Sequence, residues 1–124
     1  ATTLSVLDKQ GDYVGTIILP GARISLDSLT ARTAQLPKIG LTVPEKVVGK
    51  NTADCMRSGV LYGAAATLDG MIDRIWEELG YETQVVATGG LSRVVVPHCC
   101  HKIMLNDELL LQGLRMLYER NRRN

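Results

Sequence analysis

The chain has 124 residues, 45% apolar and 22% charged, with a formal net charge of +1. This is enough for one ordinary domain burying about two thirds of its unfolded surface, with a composition far from the disordered and fibrous classes. The near-neutral charge gives no reason to expect a nucleic-acid or membrane partner. No run approaches the roughly 18 apolar residues of a membrane span, and three cysteines, two adjacent, suit a reducing, cytoplasmic setting.

The chain opens Ala1-Thr2-Thr3-Leu4, a β-favouring pattern without a methionine or a charged leader, which reads as a chain cut inside a strand. Strands are expected over Thr2–Leu7 and Tyr13–Leu19, joined by the turn formers Asp8-Lys9-Gln10-Gly11-Asp12 into a β-hairpin. Pro20-Gly21 ends the second strand. Residues 24–36 place Ile24, Leu26, Leu29 and Leu36 at helical spacing, and Pro37 closes that helix. Residues 38–51, with Pro44, two glycines and the Val47-Val48 pair, read as an ordered connection over the surface.

The strongest signal is a long helix, or two in succession, over Thr52–Leu79, with Thr52 as the expected N-cap and Asp54 in the first turn favouring the helix dipole. Val60, Ala64, Met71, Ile75 and Leu79 recur near the 3.6 period. A second stripe of Gly59, Gly63, Ala66 and Gly70 predicts a close approach of another backbone, within the fold or from a second subunit. Residues 83–88 predict a short buried strand ending in Thr88-Gly89-Gly90. A helical turn over 91–96 and a closing amphipathic helix over 107–121, carrying Leu110, Leu111, Leu114, Leu117 and Tyr118, complete the order β, β, α, long α, β, α.

Several short motifs carry chemistry, and each has a plainer account. Thr88-Gly89-Gly90 could turn backbone N–H groups and a hydroxyl toward a nucleotide, although a simple turn also explains it. Gly49-Lys50-Asn51-Thr52 sits at the mouth of the long helix, where free N–H groups favour an anionic or hydroxylated ligand; a capping threonine is the simpler reading. It lacks the upstream glycine of a phosphate-binding Walker loop. His98, Cys99, Cys100 and His101 are zinc-competent, but four consecutive residues cannot readily meet at one tetrahedral centre. Asp54, Asp69, Asp73, Glu77 and Glu78 follow the long helix at spacings that place several of them on its solvent side, with Arg57 and Arg74 as available partners. The basic run Arg120, Arg122 and Arg123 reads as a solvated tail in preference to a phosphate-binding arm.

Six segments in order give a sharper reading: Ala1-Thr2-Thr3, residues 15–21 (Gly-Thr-Ile-Ile-Leu-Pro-Gly), residues 33–37 (Thr-Ala-Gln-Leu-Pro), Gly49-Lys50-Asn51-Thr52, Ala87-Thr88-Gly89-Gly90 and Gly113-Leu114-Arg115. Over its whole length the series resembles the C-terminal half of the type III pantothenate kinases, with Thr16 departing from the family's second glycine. The resemblance implies an α/β, ribonuclease-H-like domain of the acetate and sugar kinase, Hsp70 and actin superfamily, with a mixed sheet that starts from an antiparallel hairpin and is flanked by helices. Residues 1–124 would be the second of two domains closing over ATP, the N-terminal domain being absent from this chain.

The implied reaction is transfer of the γ-phosphoryl of ATP to the primary hydroxyl of pantothenate, the first step of coenzyme A synthesis, with Mg²⁺ on the nucleotide and K⁺ or NH₄⁺ assisting. By the same resemblance Thr2 and Thr3 lie by the ATP phosphates, Thr88, Gly89 and Gly90 by the adenosine, and Thr52 against pantothenate. The catalytic aspartate, the cation-binding aspartate and the N-terminal phosphate loop lie upstream of Ala1, and a homodimer is implied. Two rivals are a non-enzymatic, transcription-activating accessory factor of the same family, which no basic face or helix-turn-helix supports, and a small metal-binding module on residues 98–101.

Overall fold

The computed structural model describes residues 1–31 and 40–122. The end of the helix expected at Leu36 and Pro37, the motif at residues 33–37 and Arg123 lie outside the described residues. The elements are β1 (Thr2–Leu7), β2 (Tyr13–Leu19), α1 (Ala22–Ala31), α2 (Thr52–Leu79), β3 (Val86–Ala87), α3 (Ser92–Val95) with a 3₁₀ turn over Val96–His98, β4 (Met104–Leu105) and α4 (Leu109–Arg122).

β1 and β2 form the expected antiparallel hairpin, with Thr2 opposite Leu19, Leu4 opposite Ile17 and Val6 opposite Gly15, and a bulge between Val6 and Leu7. Alternation decides its faces: Thr2, Leu4, Val6, Ile17 and Leu19 turn to the half-buried side, while Ser5 and Thr16 share a 3.3 Å hydrogen bond on the exposed side. The Asp8 carboxylate shapes the turn by accepting from the Gln10 and Asp12 N–H groups at 3.0 and 2.9 Å. Gly11 supplies the positive φ of 84° that the turn requires.

α2 is one unbroken 28-residue helix. Its N-cap is Asn51, whose side-chain oxygen accepts from the Asp54 N–H at 2.8 Å while its amide donates to the Asp54 carboxylate at 3.0 Å. The expectation that Thr52 caps the helix is therefore corrected: an amide one residue earlier has the reach to close the first turn. At the other end Gly80, at φ 84°, returns its N–H to the Trp76 carbonyl at 2.8 Å.

Two apolar clusters hold the helices together. Ala22 and Leu26 of α1 meet Val60 of α2, with Leu41, Met56 and Leu91 packed around them. Leu61 and Ala65 meet Val95 of α3, with Leu41, Val43, Leu68 and Cys99 around those. Among the described residues of the apolar set on α1, Leu26 is buried while Ile24 and Leu29 are exposed. In the described part of the connection before α2, residues 40–51, helix side chains satisfy several carbonyls. Arg57 donates to Gly40 at 3.1 Å, Tyr62 to Pro44 at 2.8 Å and Ser58 to Val47.

One mixed sheet was the expectation, and it is corrected. Among the described residues there are two separate two-stranded ladders, β1 with β2 and β3 with β4. The second is parallel, pairing Val86 with Met104 and Ala87 with Leu105, so α3 forms its crossover and packs against α2. Two-residue strands cannot hold themselves together, and this ladder depends on that packing. The strand predicted as buried over 83–88 is shorter, and Val86 is exposed. The closing helix forms, but none of its residues is buried.

Candidate functional site

The residues singled out by sequence fall into three segments arranged around the first apolar cluster. Thr2 is half-buried and Thr3 exposed at the start of β1, where the Ala1 backbone lies 3.7 Å from the position a Cβ on Gly21 would take. Ala22, the next residue, belongs to the cluster. Thr52 opens α2, and Met56, one turn on, packs into the same cluster. Thr88, Gly89 and Gly90 are exposed after β3, and Leu91 immediately beyond them packs there too. One small core thus positions the backbone of all three segments.

With Asn51 as the cap, Thr52 is exposed and its hydroxyl makes no hydrogen bond among the described residues. Gly49 has a separate reason to be glycine. A Cβ there would stand 2.6 Å from the Cys55 nitrogen and 2.8 Å from its Cα, so the chain can pass the first turn of α2 only without a side chain. In the other turn, Gly89 takes φ 101°, and the Ser92 side chain donates back to its carbonyl. Thr88 also borders an open surface depression whose remaining lining residues, among them Leu110, Gly113, Leu114 and Leu117, all belong to α4.

Residues 98–101 do not converge as ligands. Among the described residues no three His, Cys, Asp or Glu side chains are placed to hold a metal ion. The segment instead straps the end of the α3 crossover onto α2. The Asp69 carboxylate accepts from the Cys100 and His101 N–H groups at 2.7 and 3.0 Å, and His101 Nε2 lies 2.6 Å from Asp73 Oδ1. His101 meets Trp76 edge-on at 4.8 Å, and His98 meets Tyr62 edge-on at 5.3 Å. Asp73 is exposed and Asp69 half-buried, and both find their partners on the strap in place of an arginine, because they stand on the same helix face as Tyr62, Ala65 and Trp76. Asp54 does pair with Arg57, at 3.4 Å.

Among the described residues Cys99 is the titratable group with a resolved shift. Burial, followed by the Asp69 carboxylate and the neighbouring Cys100, pushes its thiol up to about 11. Its sulfur donates weakly to the Ala65 and Val95 carbonyls at 3.8 and 3.7 Å. Since an unfolded thiol ionises near about 8.5, the unfolded chain loses its proton first as pH rises. The contribution of Cys99 to stability is complete below that value and is expected to be lost as pH climbs through about 11. At pH 8, iodoacetamide is expected to modify the exposed Cys55 and Cys100 well before Cys99, as read by peptide mass spectrometry; equal rates would show that Cys99 is not protected.

The family model for type III pantothenate kinase matches residues 1–74, which carry the hairpin, α1 and most of α2. The chain belongs to the type III pantothenate kinase family. Three members of that family extend the likeness through Thr88-Gly89-Gly90 and α4. The type III pantothenate kinase of Exiguobacterium sp. is 44% identical over 123 residues, 99% of this chain and 48% of the relative. That of Moorella thermoacetica is 42% identical over 98% of this chain and 48% of its own length, and that of Syntrophus aciditrophicus 40% identical over the same shares. The chain spans about half the length of the curated relatives it matches.

Proposed function

We propose that this chain is the C-terminal, ribonuclease-H-like domain of a two-domain pantothenate kinase, which transfers the γ-phosphoryl of ATP to pantothenate to give 4′-phosphopantothenate. The observation that carries the reading is 40 to 44% identity over at least 98% of the chain to proteins named as type III pantothenate kinases.

In this reading the chain supplies one wall of a cleft. Thr2 and Thr3 donate toward the ATP phosphates, and Thr88, Gly89 and Gly90 present backbone to the adenosine. Thr52 offers its hydroxyl to pantothenate from the start of α2, where the helix's free N–H groups favour a carboxylate. The upstream half brings the aspartate that accepts the substrate's hydroxyl proton. The described residues do not form a ligand set for a metal, so Mg²⁺ and the monovalent cation fall to the nucleotide and that half. Gly59, Gly63 and Gly70 have open space where a side chain would lie, which suits the approach of a second subunit in a homodimer. No helix among the described residues is long and apolar enough to cross a membrane, consistent with a cytoplasmic enzyme.

Thr52→Ala in the intact enzyme is expected to weaken kcat/KM for pantothenate by about 1 to 3 kcal/mol, the usual cost of leaving a buried partner unpaired, with KM for ATP little changed. Initial rates with each substrate varied in turn check this. Unaltered pantothenate kinetics would remove Thr52 from the substrate site.

A further inference from the structure

Residues 40–50 form neither strand nor helix, so no ladder or helical bonding holds their backbone. Side chains from the first turns of α2 hold it instead. Arg57 Nε donates to the Gly40 carbonyl at 3.1 Å, the Ser58 hydroxyl to that of Val47, and the Tyr62 hydroxyl to that of Pro44 at 2.8 Å. Among the described residues Ser58 is the buried polar residue, 6% exposed. A hydroxyl in that position is costly unless bonded, and the Val47 carbonyl is its partner. Leu41 and Val43 enter the apolar clusters from the same segment. Further on, Gly49 presses against the first turn of α2, where a Cβ would stand 2.6 Å from the Cys55 nitrogen, and Asn51 caps the helix. The chain is thus fixed at 40, 44, 47, 49 and 51, and Thr52 follows directly. The Thr52 hydroxyl makes no hydrogen bond among the described residues, so its position is set by the backbone that leads into it.

We infer that Ser58 and Tyr62 are positioning residues for Thr52: by holding the Val47 and Pro44 carbonyls they fix the corner from which the Thr52 hydroxyl meets pantothenate. The inference rests on the proposed function and deepens it. Both hydroxyls are engaged with backbone, so they act through the connection and not on the substrate. Arg57 also pairs with Asp54 in the helix cap, and it serves the start of α2 as well as the connection. Placement matters here because a transfer reaction needs its acceptor held in one geometry. A displacement of about 1 Å can cost on the order of 10²-fold in rate.

The test uses the intact gene product. Ser58→Ala and Tyr62→Phe each remove one hydroxyl, and the second keeps the ring that meets His98 at 5.3 Å. Each is expected to lower kcat/KM for pantothenate about three- to tenfold, the equivalent of one lost hydrogen bond, with KM for ATP unchanged within about twofold. In a Thr52→Ala background the same replacements are expected to cost less than about twofold, because a group that acts through Thr52 has nothing left to position. Losses that add in full to that of Thr52→Ala, losses shared by KM for ATP, or unchanged pantothenate kinetics would overturn the inference. Hydrogen exchange followed by NMR reads the same variants whatever their activity. The Asp54 and Cys55 amides, which donate to Asn51, are expected to exchange about three- to tenfold faster than in the unsubstituted protein, while those of Ile72 and Ile75 keep their rates. Unchanged exchange at Asp54 and Cys55 would likewise overturn it. If the unsubstituted protein leaves pantothenate unphosphorylated while those two amides quicken, the hold on Thr52 stands and the kinase reading falls.

Discussion

Prepared alone, the 124-residue chain is expected to release no ADP in response to pantothenate. On the proposed function, the aspartate that accepts the hydroxyl proton lies upstream of Ala1, and general-base catalysis of this kind contributes typically about 10² to 10⁴-fold. The loss should be larger than that single factor. Phosphoryl transfer relies on positioning and charge stabilisation in a closed, dry site, and with one wall missing the phosphates beside Thr2 and Thr3 would face water. A coupled ADP assay with Mg²⁺, K⁺, ATP and pantothenate on the pure chain checks this. Pantothenate-dependent turnover would mean that the catalytic groups lie within residues 1–124.

Leu61→Ala is expected to destabilise the domain by about 2 to 5 kcal/mol, the range for removing a large aliphatic side chain from a closed core. Leu61 is 1% exposed and packs with Ala65 and Val95, joining α2 to the crossover that carries β3 into β4. The cavity would open where α3 is held, so the Thr88-Gly89-Gly90 turn should loosen along with the fold. Val48→Ala, at a residue 79% exposed, should shift stability by less than about 0.5 kcal/mol. The midpoint of urea unfolding for both variants in the intact protein decides it; similar midpoints would show that the second apolar cluster is not a core.

The hairpin and α2 could be read to their observed ends because their signals are local. Period-two alternation with a Gly11 turn marks the first. A long apolar recurrence bounded by cap-competent residues and Gly80 marks the second. The N-cap was misplaced by one residue because Asn51 and Thr52 are both competent, and only the reach of the Asn51 side chain to the Asp54 N–H separates them. β4 was not foreseen, since two residues give no periodicity. The partners of Asp69 and Asp73 were not foreseen because they lie 28 to 32 positions away, on a segment whose four side chains resemble a metal motif. The candidate site divides in the same way. Each threonine and glycine turn is visible in sequence, but the cluster of Ala22, Met56 and Leu91 that gathers them depends on contacts across the whole chain.

The most direct test of the account is the product formed by the intact enzyme. Incubated with ATP, Mg²⁺, K⁺ and pantothenate, it is expected to convert pantothenate to 4′-phosphopantothenate with one ADP released per molecule, followed by mass spectrometry and a coupled assay. ATP hydrolysis that is indifferent to pantothenate, or pantothenate recovered unphosphorylated, would contradict it.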